Sequence, residues 1–270
     1  MNNELIIIID LDGTIIGNCY YQSEVYNIDN IHKKFNIKSI SNNNLNNSYK
    51  ENSKLIRPYF TFFYKNIKKK YPNSLFFIYT ASDDKWAKKE ITLIEKNFDI
   101  KFNRPILSRK DCILNSNNEY KKSFTKILPK IKKHIKNIND INDNLLIIDN
   151  NNTFIDYHQN FIKCKSYNYI HFIDLWDSIN KNFYKYNELN NYINYLINTN
   201  KIFKYYDKNN EKKIEQYLKW KYKKYKKINK NNKKDNNDIF WKNITNIIIN
   251  NNFDKFDKDT IYKINKFISN

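Results

Sequence analysis

Three short apolar runs punctuate the first two-thirds of the chain: Leu5 to Ile9, Leu75 to Tyr79 and Leu145 to Ile148. Each is continuous, rich in Ile, Leu or Phe, and ends at polar residues, the pattern of parallel strands covered on both faces. Between them, apolar residues recur at helical spacing. Pro58 to Lys70 carries Phe60, Phe63, Tyr64 and Ile67 on one face, and Asp84 to Phe98 carries Trp86, Ile91, Ile94 and Phe98. Strand and helix in alternation predict a doubly wound α/β parallel sheet, with ligands at the carboxyl ends of its strands. Two stretches depart from this pattern. Ile15 to Lys54 reads as an insertion after the first strand with an Asn/Ser tip at Ser41 to Ser48, and Asn137 to Asn144 reads as a loop.

From about Asn187 the strand pattern gives way to helical spacing. Ile214, Leu218, Tyr222 and Tyr225 form one such set, Phe240, Ile244, Ile247 and Ile248 a second, and Ile261, Ile264, Phe267 and Ile268 a third. The expectation is an α/β domain over residues 1–186 followed by a basic α-helical C-terminal extension over 187–270.

Composition adds a charge argument. The 270 residues suffice for a sizeable core, and the formal charge of +20 favours acidic partners: a phosphorylated protein, nucleic acid or an anionic surface. The dominance of Asn, Lys and Ile is also what AT-rich coding sequence yields, so charge alone names no partner. Between Lys219 and Lys234, Trp220, Tyr222 and Tyr225 lie among lysines, which suits base stacking or phosphate contact and equally suits the solvated face of an amphipathic helix.

Cys19, Cys112 and Cys164 have neither disulfide nor zinc-ligand spacing, and His32, His134, His158 and His171 form no ligand pattern. No window is long enough for a membrane span, and the start of the chain lacks signal-peptide character. The expectation is an intracellular protein, cytoplasmic or nuclear, with no membrane partner. Oligomeric state is not legible in the pattern.

The candidate chemistry begins where the first apolar run stops, at Asp10-Leu11-Asp12-Gly13-Thr14. Alternation along an extended chain puts Asp10 and Asp12 on one side, and Gly13 lets the backbone turn away. One carboxylate can attack phosphorus while the other protonates the leaving oxygen. This pentapeptide resembles the first motif of the haloacid dehalogenase superfamily, whose phosphatases pass through an aspartyl-phosphate. The superfamily's later signals follow in order: Thr80 after a core strand, a lysine, and Asp149 after the third apolar run.

Arg57-Pro58, Tyr79-Thr80-Ala81-Ser82 with Lys85-Trp86-Ala87, Ser108-Arg109-Lys110-Asp111-Cys112, Tyr120-Lys121-Lys122 and Asp149-Asn150 resemble one branch. It is that of the phosphatases acting on the carboxy-terminal domain of RNA polymerase II and their small relatives, the FCP/SCP-like, NLI-interacting-factor-like group. His158 and Asp174-Leu175-Trp176 fall where that branch has a histidine and its last helix. The resemblance runs from about Leu5 to Tyr186.

It implies Asp10 as nucleophile and Asp12 as general acid and then base. It also implies Mg2+ held by the Asp10 and Asp149 carboxylates and the Asp12 carbonyl, with Thr80 and Lys122 on the phosphoryl oxygens. Lys121 is the alternative to Lys122. Ala81, Arg109 and Asn150 are supporting residues. Asn151-Asn152 stands where the branch has Ser-Pro, Gly13 where it often has Glu, Tyr59 in place of its Gly, and Ser123 in place of its Asp.

The expected activity is Mg2+-dependent phosphomonoester hydrolysis, with phosphoserine or phosphothreonine of a protein as the leading substrate class. Alternatives are a phosphatase for nucleotides or nucleic-acid ends, a catalytically inactive binding module of the same fold, and a tail serving assembly.

Overall fold

The computed structural model describes residues 4–17, 56–136, 141–169 and 238–269, with Trp220 and the lysines at 223, 224, 226, 227 and 230. Cys19, His32, the Ser41–Ser48 tip, His171, the Asp174–Trp176 stretch and the apolar positions Ile214, Leu218, Tyr222 and Tyr225 lie outside the described residues. The chain divides into two compact units, residues 1–17, 49–167 and 237–270 in one, and 18–48 and 168–236 in the other. The sheet and its covering helices belong to the first.

Four strands, β1 (Ile6–Ile9), β2 (Leu75–Ile78), β5 (Leu145–Asp149) and β6 (Phe161–Lys163), form a parallel sheet in the order β2-β1-β5-β6. The expected three apolar runs are thus adjacent, with β1 between the other two. A two-residue antiparallel pair, β3 (Ile113–Leu114) and β4 (Tyr120–Lys121), stands apart from the sheet. The apolar runs are continuous because both faces are covered. Ile7, Ile9, Phe76, Ile78, Leu146 and Ile148 face one core cluster, while Ile6, Ile8, Phe77, Leu145 and Ile147 face the other.

On the first face pack α1 (Phe60–Lys70) and α2 (Asp84–Phe98), each burying its predicted apolar stripe except for Trp86, which is partly exposed. The second face is covered by α3 (Phe124–Ile131) through Phe124, Ile127 and Ile131. A helical turn, α4 (Ile141–Asn144), occupies part of the stretch read as a loop and leads directly into β5.

The two C-terminal helices differ from expectation in their place. α5 (Phe240–Asn250) and α6 (Lys258–Ser269), expected within an extension beginning at residue 187, belong to the same compact unit as the sheet. Trp241 is fully buried against Phe60 and Phe63, with ring centroids 5.1 and 4.7 Å away. Ile244, Ile248, Ile261 and Ile264 join the first-face core, although Phe267 remains exposed. Lys70 Nζ donates to the carbonyls of Ile248 (2.9 Å) and Ile249 (2.7 Å), satisfying acceptors that the end of α5 leaves open.

Candidate active site

Strand register sets the site. Asp10 N donates to Ile148 O and Tyr79 N to Ile9 O, each at 3.0 Å, so Asp10, Thr80 and Asp149 lie at the carboxyl ends of three neighbouring strands. Beyond Asp10 the chain turns tightly: Leu11 O accepts from Ile15 N (3.0 Å) and Ile16 N (3.1 Å). Gly13 adopts φ +84°, and a Cβ there would stand 2.6 Å from a terminal amide atom of Asn150, so conformation and space both require glycine. Thr14 closes the turn onto the site, its hydroxyl donating to Asp10 Oδ2 at 3.2 Å and accepting from Asn150 N at 3.1 Å.

Lys122 follows β4 and is buried, its Nζ donating to Asp10 Oδ1 at 2.6 Å and Asp149 Oδ2 at 2.7 Å. Lys121 turns outward to Glu119 at 2.9 Å, so of the two adjacent lysines only Lys122 joins the cluster. Burial raises the Asp10 carboxyl above the usual range, Lys122 pulls it down, and Asp149 and Asp12 push it up again. Burial acts to strip the proton from Lys122, but the two carboxylates outweigh it and hold the ammonium charged. Thr153 Oγ1 (3.1 Å) and Asn151 N (2.7 Å) donate to the Asp149 carboxylate.

Asp12 occupies the same mouth but keeps different company. Its Oδ2 accepts from Ser82 Oγ (2.6 Å) and Thr80 Oγ1 (3.1 Å), and its Oδ1 from Trp86 Nε1 (3.0 Å). Burial raises the Asp12 pKa, and the three donors oppose that rise. Arg109 Nε donates to Ala81 O at 2.9 Å, and its guanidinium lies 5.1 Å from the Tyr120 ring centroid. The Asn150 amide, with its nitrogen toward the acceptors, donates to Asp10 Oδ2 at 3.2 Å and accepts from Ser166 Oγ at 2.8 Å.

Asp10, Asp12, Thr80, Lys122, Asp149 and Asn150 therefore meet in one cluster, Ala81 and Arg109 lie at its edge, and Lys121 turns away from it. The sequence reading assigned no role to Thr14, Ser82, Trp86 or Thr153, which hold the acidic side chains. Ser82 and Trp86 stood inside the motif stretch, and their four-residue spacing across the start of a helix was the available signal.

The donor set suits a hard divalent cation. Asp10 and Asp149 offer carboxylate oxygens in a buried mouth where a single ammonium leaves Asp10 still pushed upward, and the Asp12 carbonyl is a third oxygen nearby. Among the described residues, no group of three or more His, Cys, Asp or Glu side chains is placed to hold a metal. A cation here would accordingly rest on two carboxylates and a main-chain oxygen, because the Asp12 carboxylate faces Ser82 and Trp86.

A doubly wound parallel sheet with an aspartate pair, threonine, lysine and third aspartate at its carboxyl edge has the architecture of the haloacid dehalogenase class. Residues 5–201 match the NLI interacting factor-like phosphatases, and the chain belongs to that family. Among solved structures, it is similar to a variant of the fission yeast RNA polymerase II CTD phosphatase Fcp1 bound to beryllium fluoride. Identity there is 19%, with a TM-score of 0.37, over 62% of this chain and 43% of that one. A second structure of Fcp1, an essential RNA polymerase II CTD phosphatase, gives 18% and 0.36 over the same shares of the two chains. The chain thus spans less than half the length of these proteins. No curated protein matches it in sequence.

Proposed function

We propose that this phosphatase hydrolyses phosphoserine or phosphothreonine in proteins with Mg2+ as cofactor, through an aspartyl-phosphate on Asp10. The observation that carries this reading is the division of labour between the two aspartates. Asp10 shares the Lys122 ammonium with Asp149, while Asp12 is held separately by Ser82, Thr80 and Trp86.

Asp10 attacks phosphorus, the ester P–O bond breaks, and the leaving oxygen takes a proton from Asp12. Water then attacks the aspartyl-phosphate, Asp12 recovers a proton from it, and inorganic phosphate leaves with the Asp10 carboxylate restored. Lys122 opposes the burial that favours protonating the nucleophile, and offsets repulsion between two anions. Thr80 Oγ1, now shared between Asp12 and Ser82 N, turns to a phosphoryl oxygen. Asp10, Asp149 and the Asp12 carbonyl would hold Mg2+, which supplies further charge neutralisation at the transferring group.

A protein substrate is favoured by the Tyr79-Thr80-Ala81-Ser82 and Asp149-Asn150 stretches, which follow the polymerase-tail branch. The charge of +20 keeps a second reading open, a phosphatase for nucleotides or nucleic-acid ends. The test is a panel of phosphopeptides, nucleotides and phosphorylated oligonucleotides, with Mg2+ and with chelator, for wild type and Asp10→Asn. Phosphopeptide turnover that is Mg2+-dependent and lost in the variant is the expected result. Preference for oligonucleotide ends selects the second reading, and absence of turnover with retained ligand binding selects a binding module.

A further inference from the structure

The two oxygens of Asp12 meet donors of different kinds. Oδ1 accepts from the Trp86 indole, a group that donates and never accepts, whereas Oδ2 faces the Ser82 and Thr80 hydroxyls, which do both. A proton on Oδ2 has two oxygens able to receive a hydrogen bond from it. A proton on Oδ1 competes with the indole N–H, the hydrogen-bond partner of that oxygen, which donates and cannot accept. Trp86 is itself fixed: it lies in the first turn of α2, where Asp83 caps the helix by accepting from Lys85 N (2.9 Å) and Trp86 N (3.4 Å), and its ring packs on the first-face core.

We propose that Trp86 is a positioning residue for proton transfer. By donating to Oδ1 it sets the plane of the Asp12 carboxyl and leaves Oδ2 as the proton-bearing oxygen, on the side of Thr80. The proton then stands next to Thr80, whose hydroxyl turns to a phosphoryl oxygen, in place to reach the leaving oxygen as the P–O bond breaks. A phenol or hydroxyl in the place of the indole would both donate and accept, so it would not distinguish the two oxygens. The inference rests on the reading of Asp12 as general acid.

Dependence on the leaving group tests it. A departing 4-nitrophenolate needs no proton, whereas a departing alkoxide does, so a defect confined to proton transfer grows as the leaving group becomes more basic. The quantity to measure is kcat/KM for 4-nitrophenyl phosphate, phenyl phosphate and a simple alkyl phosphate, in wild type, Trp86→Phe, Trp86→Met and Asp12→Asn. Both Trp86 variants remove the donor while keeping apolar bulk, and the ratio between substrates does not depend on how much of each preparation is folded.

The expected result is a loss of about tenfold to a hundredfold on the alkyl ester, and below about threefold on the nitrophenyl ester, for both Trp86 variants. Asp12→Asn should show the same trend more steeply. An equal loss on all three substrates, or none, in the Trp86 variants alongside a steep trend in Asp12→Asn overturns the role of Trp86 and leaves the general acid standing. A flat trend in Asp12→Asn overturns the general acid itself, and the positioning role with it.

Discussion

At the scale of residues, one ammonium makes two buried carboxylates tolerable. Asp10 and Asp149 sit at the ends of adjacent strands, and Lys122 is within 2.7 Å of both. Removing one partner of such a buried cluster leaves uncompensated charge, so Lys122→Met is expected to lose activity and about 3–5 kcal/mol of stability. Lys121→Met removes only an exposed pair with Glu119 and should keep both, and parallel denaturant melts and phosphatase assays separate the two lysines. The sequence left that choice open because neighbouring residues of an extended segment face opposite sides, and a two-residue strand shows no alternation from which to read the side. Gly13 was legible as a turn, but its contact with Asn150, 137 positions on, was not. Gly13→Ala should cost activity as well as about 1–2 kcal/mol, since it displaces the amide that faces Asp10.

At the scale of elements, α1 and α2 could be read from apolar spacing, whereas α3, β6 and the β3-β4 pair could not. β6 has three residues and the paired strands two each, too few for a period to register, and Pro129 inside α3 argues against a helix. Long-range capping helps α3 form. Ser123 Oγ accepts from Lys126 N at 3.1 Å and donates to Asp156 at 2.6 Å, and Asp156 also accepts from Phe124 N (2.8 Å) and Thr125 N (3.1 Å). Burial acts to raise the Asp156 pKa, but these donors outweigh it and hold the carboxyl below its ordinary 3.8. A depressed folded-state pKa means the stabilisation is fully present above the unfolded value and disappears as pH falls through the folded one. Asp156→Ala should therefore cost about 1–2 kcal/mol near neutrality. In urea unfolding, the gap from wild type should close as the pH falls below 3.8.

At the scale of the whole molecule, the C-terminal helices are part of what holds the turn after β1, although they lie beyond the family match at 5–201. Trp241 Nε1 donates to Thr14 O at 3.3 Å, on the same residue whose hydroxyl reaches Asp10, and Asp238 pairs with the buried Arg57 at 2.9 Å. Helical periodicity announced that these segments had an apolar face to cover. It could not say which surface covers it, because that partner is the Phe60–Phe63 face some 180 residues earlier. Trp241→Ala should destabilise the protein by about 3–5 kcal/mol, and a chain ending before Asp238 should lose the cooperative melt of the intact one. The central claim concerns Asp10. Acid-quenched turnover with a phosphomonoester and Mg2+, followed by borohydride reduction and peptide mass spectrometry, should find position 10 converted to homoserine, the reduction product of an aspartyl-phosphate. Modification at any other residue, or undiminished hydrolysis by Asp10→Asn, would contradict it.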